Sequence, residues 1–507
     1  MNFRNYFCFL FIFSLTWNFA LSQPCDNQRY RDSIFGVDKH SDIIFANVQS
    51  LPAVYVSENV TVSRNLLLDI FEPADDTLSK RPLVIFAFGG GFLIGGKNDE
   101  DAQTYCDSLA HTGYVTASID YRLGMNIASP ESAVRAIYRA AQDYSAAVRY
   151  LKEFADLYRI DTNYIFTGGV SAGSFSAMNL AYMQDADRPA ETFASGGLAP
   201  APDLGCLHCS GNNYNHNTKA KAMLNCWGAI LDTTWIDLTD NTPLISFHGD
   251  ADPVVPFGTG YPFTALFLMP TVYGSQPITE RANNIGLYNR FHPFAGQGHN
   301  VWGTVVNNSF VGGETPYFDT IFQETKQFFY PFLQPSPPVI IGLTTVCAGD
   351  TVVYSVTQNQ GSKFCWEIQN GIITSQNTQL NTISVLWNTA GNGSVKVREY
   401  NRLLAVSDIS EEAITISECT TSVNTVADKS GFVIYPNPVS CGSTISIRLP
   451  SDKKMRIIIS DLSGKQIINQ THTGQLFQNN ILLSEGVYWL SLFDNEIHCY
   501  TSKLIVD

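Results

Sequence analysis

Apolar and polar positions divide the chain into three textures. From about Tyr30 to Leu333, short apolar runs alternate with stretches of helical period. Pro82–Phe88 is wholly apolar and bounded by turn residues, the pattern of a strand buried on both faces of a parallel sheet. Asp101–Ala110 reads as a helix and Tyr114–Ile119 as a strand. The strongest helix follows. Ser129-Pro130-Glu131 supplies a cap, a first-turn proline and an acidic first turn. Val134, Ile137, Ala141, Tyr144, Val148, Leu151 and Ala155 then recur as one apolar stripe. Tyr164–Thr167 is a short strand, Phe175–Tyr182 a helix and Pro243–Phe247 a strand. This alternation predicts a mainly parallel sheet with helices on both faces, its chemistry carried by loops at the carboxyl ends of the strands.

Beyond Leu333 the pattern changes. Gln334-Pro335-Ser336-Pro337-Pro338 is a stiff linker, residues 334–338. Residues 339–419 are rich in Thr, Val, Ser and Asn and alternate as in Thr382-Ile383-Ser384-Val385-Leu386-Trp387, which predicts a β-sandwich. A polar stretch, 420–430, leads to a second small β-rich module over 431–507. At the other end, Arg4, the apolar run Tyr6–Trp17 and the small residues of Ala20-Leu21-Ser22 read as a secretory signal peptide over 1–22, cleaved before Gln23. Its apolar core falls short of the roughly 20 residues a membrane span needs, and no other stretch is a better candidate. The catalytic region is therefore expected over 23–333.

Charge and cysteine content sharpen this picture. A net charge of -15, with no basic run longer than Lys453–Lys454, argues against nucleic acid or an anionic membrane surface as partner. Of eleven cysteines, Cys8 leaves with the signal, and the remainder enter an oxidising compartment where disulfides are expected. Cys206-x-x-Cys209, with His216 and Cys226, admits a zinc site. Secretion favours disulfides instead, and the ligand spacing is unconvincing, so no metal is assigned. Cys441 and Cys499 stand near the two ends of the last module and could close it.

Gly169-Val170-Ser171-Ala172-Gly173 is a G-x-S-x-G sequence between an expected strand and an expected helix. Such a turn throws a serine hydroxyl into the open at strained dihedrals that only small neighbours tolerate, making Ser171 the candidate nucleophile. The plainer alternative is a tight glycine turn with a solvated serine. Attack on a carbonyl leaves negative charge on oxygen, and Phe88-Gly89-Gly90-Gly91-Phe92, just after a buried strand, can aim backbone N–H groups at it. Gly90, Gly91 and Ala172 are the expected donors. A phosphate cradle would need a Lys-Ser/Thr pair, which Gly95-Gly96-Lys97-Asn98 lacks. His299, in Gly296-Gln297-Gly298-His299-Asn300, lies where a base should follow nucleophile and acid, with His292 and His248 as fallbacks. Either carboxylate of His248-Gly249-Asp250-Ala251-Asp252-Pro253 could orient it.

These motifs, in this order from about Val54 to Leu333, resemble the α/β-hydrolase superfamily, and within it carboxylesterases of the hormone-sensitive-lipase-like kind. Val84–Phe92 matches the strand and oxyanion loop, Asp120-Tyr121-Arg122 a D-Y-R segment, Asp252-Pro253-Val254-Val255-Pro256 the acid loop and Gly298-His299 the histidine loop. The resemblance implies Asp252 as the acid, because the last carboxylate of such a His-Gly-x-x-Asp turn fills that role. Phe88 stands where these esterases usually carry histidine, which puts loop rigidity in question.

Residues 339–419, with Cys347, Trp366 and Trp387, are similar to PKD-like domains. Tyr435-Pro436-Asn437-Pro438, Ser463-Gly464-Lys465 and Gly486-Val487-Tyr488 resemble a type IX secretion sorting domain, a C-terminal export signal. The resemblance implies an α/β-hydrolase followed by two small all-β domains, secreted or held at the cell surface, with the secretion machinery as partner. It implies hydrolysis of a carboxylic ester without metal or organic cofactor. A soluble ester or acylated polysaccharide is the expected substrate, with polyester, triglyceride or peptide bonds as alternatives on the same fold. A catalytically silent surface binding protein is the opposing class. Cys206–Trp235 is expected to overhang the pocket, and a chain cut after about Leu333 is expected to keep its hydrolytic activity.

Overall fold

The computed structural model describes residues 28–507 other than 53–54, 56, 197–199, 240–241, 264–268, 304, 307–308, 311–315, 378, 419–431, 450–451 and 495–496. The expected signal peptide and the 420–430 linker lie outside the described residues. The chain forms two compact units, Met1–Ser417 and Glu418–Asp507.

The first unit is built on an eight-stranded sheet. In chain order its strands are β1 (Val37–Ser50), β2 (Val62–Pro73), β3 (Arg81–Ala87), β4 (Val115–Ile119), β5 (Ile160–Val170), β6 (Ala222–Cys226), β7 (Leu244–Gly249) and β8 (Asn289–Phe294), and their spatial order is β1-β2-β4-β3-β5-β6-β7-β8. β1 and β2 form an antiparallel hairpin and β2 lies antiparallel to β4, while all later neighbours are parallel. The chain steps from β3 to one side and returns to its other side with β5. The carboxyl ends of these two strands therefore emerge together, with Ala87 opposite Gly169. A crevice at such a reversal is where open α/β sheets place their ligands.

The helices are α1 (Glu100–Ala110), α2 (Pro130–Glu153), α3 (Ala172–Tyr182), α4 (Ser275–Ile285) and α5 (Pro316–Leu333). Tyr105 of α1 meets Phe318 and Phe322 of α5, and α2 packs against α3. Strands β3, β4 and β7 fall where apolar runs predicted them, whereas β5 begins earlier than its apolar core. The β1–β2 hairpin had no sequence signal because much of β1 faces solvent.

Helix α2 starts as expected, with Ser129 Oγ accepting from the Ser132 amide at 3.2 Å. One apolar stripe does not describe it, however, because the helix is buried almost all round. Its second face presents Arg135, Tyr138, Gln142, Arg149 and Lys152 to the irregular segment 188–217. Arg135 donates to the carbonyls of Glu191 and Pro202, Gln142 to Leu204 and Cys206, Arg149 to Ser210 and Asn212, and Lys152 to Asn217. A segment with little regular structure must find other partners for its carbonyls, and this helix supplies them. Cys206–Trp235 consequently does not overhang the pocket, and none of its residues lines the cavity beside Ser171. Cys206 and Cys209 form a disulfide and Cys226 is a free, buried thiol, which removes the zinc alternative.

The last part of the first unit is a β-sandwich. A four-stranded sheet of Thr345–Cys347, Ser410–Ser417, Gly391–Tyr400 and Lys363–Gln369 accompanies a three-stranded sheet of Thr351–Ser355, Thr382–Leu386 and Ile372–Gln376. Trp387, Tyr354, Val395 and Ile414 share its core. Cys347 and Cys365 are each disulfide-bonded. The turn after Tyr400 reaches out of the sandwich, and Leu403 and Ala405 bury themselves in the hydrophobic core of the α/β part. Tyr30 Oη donates to the Leu403 carbonyl at 2.9 Å, Asn401 Nδ2 to the Leu333 carbonyl at 2.6 Å, and Arg402 pairs with Asp161 at 2.8 Å.

The second unit also has two sheets. Val433–Tyr435, Thr444–Arg448 and Leu476–Asn480 form one, and Gln466–Thr473, Lys454–Ser460, Gly486–Asp494 and Ile497–Val506 the other, around Ile445, Ile457, Leu490 and Leu504. Cys441 is an exposed free thiol, so the expected closure through it is not made. Among the described residues, no helix is long and apolar enough to cross a membrane.

Candidate active site

The end of β5 runs into α3 through one residue, Ser171, at φ 50° and ψ -120°. That dihedral pair is costly for a residue with a side chain, and its surroundings leave no alternative path. The Ser171 amide is held by the Cys226 carbonyl at 2.9 Å, and the Ser171 carbonyl accepts from Phe175. A Cβ on Gly169 would lie 2.6 Å from the Gly173 carbonyl carbon, and one on Gly173 would lie 2.2 Å from the Ala87 oxygen. The two flanking glycines are thus required by backbone contact, and Ser171 is pushed to the mouth of the crevice.

Two loops converge on it. After β7 the chain turns through Asp252, whose Oδ1 accepts from the amides of Val254 (2.7 Å) and Val255 (3.0 Å). After β8 the Gly296–Asn300 loop presents His299. Its Nδ1 is 2.7 Å from Asp252 Oδ2 and its Nε2 is 3.0 Å from Ser171 Oγ. The three side chains come together from positions 171, 252 and 299. Asp250 is not part of this group: it faces away and accepts from the Gly296 amide at 2.6 Å, bracing the histidine loop. His292 stacks on Phe247, and His248 lies beneath Asp252 with its Nε2 3.3 Å from Oδ2. Burial works against the charge on Asp252, yet hydrogen bonds from His248 and His299 outweigh it and hold the carboxyl well below the usual carboxylate range.

Gly90, Gly91 and Ala172 all line the cavity that contains Ser171. Among the described residues their amides have no backbone acceptor. Ala172 also opens α3, where the helix dipole adds positive potential. The glycine loop is braced by Tyr121, whose hydroxyl reaches the carbonyls of Phe88 (3.0 Å) and Gly89 (3.1 Å). The ring of Phe88 stacks on Tyr121 with centroids 4.3 Å apart. Phe88 therefore supports the loop by stacking where a histidine would do so by hydrogen bonding.

The cavity measures about 460 Å³ and is mostly apolar, with Phe92, Met125, Ile137, Phe175, Val255 and Phe263 among its walls. Asp99 and Asp101 add a polar edge, and burial raises the carboxyl of Asp99 above its ordinary value. Sequence reasoning found the three polar side chains and the glycine loop but missed these walls. They come from separate segments, and of them only Phe92 and Val255 lie within a motif, with Phe175 just after one.

An eight-stranded sheet in this order, with a serine on the strained turn after β5, defines the α/β-hydrolase fold. Consistent with it, residues 68–265 match the BD-FAE family model. Residues 433–507 match the secretion system C-terminal sorting domain, which marks the chain for export and for release or attachment at the cell surface. Gut esterase 1 of Caenorhabditis briggsae is 29% identical over 117 residues, 23% of this chain and 20% of that protein. Carboxylesterase 1D of Rattus norvegicus is 28% identical over 110 residues, 22% of this chain and 18% of that protein. The chain spans about a fifth of the length of these curated relatives. Among solved structures, the propionate-bound thermophilic esterase of Thermogutta terrifontis is 19% identical with a TM-score of 0.37, covering 60% of this chain and 97% of that one. A truncated carbohydrate esterase from gut microbiota is 19% identical with a TM-score of 0.38, covering 59% and 98%.

Proposed function

We propose that this chain is an exported serine esterase that cleaves carboxylic esters through an acyl-enzyme, with Ser171 as nucleophile, His299 as base and Asp252 as its orienting acid. The observation that carries the reading is His299, whose two ring nitrogens bridge Ser171 Oγ at 3.0 Å and Asp252 Oδ2 at 2.7 Å. Because Asp252 stays ionised, it accepts from Nδ1 and leaves the Nε2 lone pair to take the serine proton.

The ester enters with its carbonyl oxygen toward the amides of Gly90, Gly91 and Ala172. Ser171 Oγ attacks the carbonyl carbon as His299 Nε2 receives its proton, and the charge on oxygen is met by those amides. As the tetrahedral carbon collapses, His299 returns the proton to the departing alcohol. Water then enters, gives a proton to His299 and attacks the acyl carbon, and Ser171 is released with its hydroxyl restored. Nothing in these steps calls for a metal or organic cofactor. The apolar walls favour an uncharged acyl or alcohol group, and the substrate is proposed as a soluble or polymer-linked ester.

The test is hydrolysis of short-chain p-nitrophenyl esters by the mature chain beside Ser171→Ala, with fluorophosphonate labelling and peptide mapping. Turnover lost in the variant and label on Ser171 are expected. Folded protein with neither turnover nor label would overturn the reading and leave a binding role for the cavity.

A further inference from the structure

We propose that His248 is a positioning residue for this reaction, a second imidazole donor to Asp252 that locks the carboxylate onto His299 and is itself oriented by a buried chain from Asn225 through Ser275. The proposal rests on the serine-esterase reading above.

His248 is the penultimate residue of β7, four residues before Asp252, and is completely buried. Its Nδ1 is 2.8 Å from Ser275 Oγ, and its Nε2 is 3.2 Å from the Val255 carbonyl and 3.3 Å from Asp252 Oδ2. The tautomer follows from the donors behind it. Asn225 Oδ1 accepts from the Gly228 amide at 2.9 Å, which fixes the orientation of that side-chain amide. Asn225 Nδ2 then donates to Ser275 Oγ at 3.0 Å and to Ser246 Oγ at 3.2 Å. With its oxygen so occupied, Ser275 turns its hydroxyl hydrogen to His248 Nδ1. His248 is left with its hydrogen on Nε2, shared between the Val255 carbonyl and Asp252 Oδ2.

Asp252 thereby receives four donors, two amides on Oδ1 and two imidazoles on Oδ2. A carboxylate has about four such sites, so it can neither rotate nor take up a proton without losing a partner. His248 does two things at once. It keeps Oδ2 in the plane of the His299 ring, and it draws part of the negative charge away from His299 Nδ1. Among the described residues, the other charged groups around His299 are Asp99 and Asp101 on the wall of the same cavity and Asp250 at the foot of its loop, and none of the three contacts His248.

The experiment compares full-length mature protein with His248→Leu, His248→Gln and Ser275→Ala. It measures kcat and KM against pH, and the low-field proton NMR resonance of the His299–Asp252 hydrogen bond. His248→Leu removes the donor, so kcat should fall about 10- to 100-fold with KM little changed, as for a small misplacement of a reacting group. The acid limb of the profile should move to higher pH, since Asp252 then places its full charge on His299. The low-field resonance should shift and broaden. His248→Gln, whose amide can reach the Nε2 position, should recover most of these properties, and Ser275→Ala should show a milder form of the loss. If His248→Leu does not fold, Ser275→Ala and His248→Gln carry the comparison. Folded His248→Leu with wild-type kcat, pH profile and resonance would overturn the proposal, as would a His248→Gln no better than leucine on all three. A wild-type chain without turnover or label would instead sink the esterase reading, and the resonance would still report on His248.

Discussion

At the level of single residues the site depends on atoms that have no room to move. The strained turn at Ser171 was legible because only glycine fits at 169 and 173, and that requirement leaves a mark in sequence. The role of Tyr121 was not legible, because nothing in the spacing of Asp120-Tyr121-Arg122 says where its hydroxyl points. Tyr121→Phe removes both carbonyl contacts that brace the glycine loop, so kcat is expected to fall about tenfold with KM nearly unchanged, in steady-state assays of folded protein. Phe88→His should be tolerated, since an imidazole can also stack on Tyr121; collapse of activity in folded protein would show that the loop depends on the larger ring. Asp252→Asn should lower kcat by roughly 10³- to 10⁴-fold, because an amide can present its NH₂ and stabilise the wrong tautomer of His299.

At the level of elements, α2 shows what patterning captures and what it leaves out. The apolar stripe and the Ser129 cap were readable from the sequence. The polar staples were not, because an arginine donating to a distant carbonyl has the same sequence signature as one facing water. Glu58 is held between Arg135 and Arg139 at 2.6 and 2.9 Å, all three being buried. Burial opposes its charge, but the two arginines prevail and bring its carboxyl from the ordinary 4.5 down to about 2. A carboxylate whose folded value is depressed stabilises the fold above its unfolded value, and this contribution is lost as pH falls through the folded one. Glu58→Gln should therefore destabilise the first unit by about 3 kcal/mol at neutral pH. Urea titrations of the two proteins should converge as pH drops from 4.5 toward 2.

At the level of the whole molecule, the change of texture after Leu333 was plain in sequence, and the sharing of a core across it was not. The two residues responsible, Leu403 and Ala405, sit in a turn of the sandwich and are too few to make a pattern. Cutting after Ser417 should leave ester hydrolysis and the melting temperature of the first unit unchanged. Cutting after Leu333 uncovers the surface around Tyr30 and Tyr330, and it should lower that melting temperature by several degrees even where activity survives. A soluble Leu333 truncation as stable as the longer one would show that the docked turn contributes nothing.

The way α2 holds segment 188–217 has a consequence for how freely this protein can vary. The helix grips main-chain oxygens, which every residue type possesses, so these particular contacts do not depend on which side chain stands at the gripped position. Tolerance to substitution should therefore be inverted relative to appearance. Exposed loop positions that offer only a carbonyl, such as Glu191 and Pro202, can drift while keeping these contacts, and the polar positions of the helix, which look replaceable, cannot.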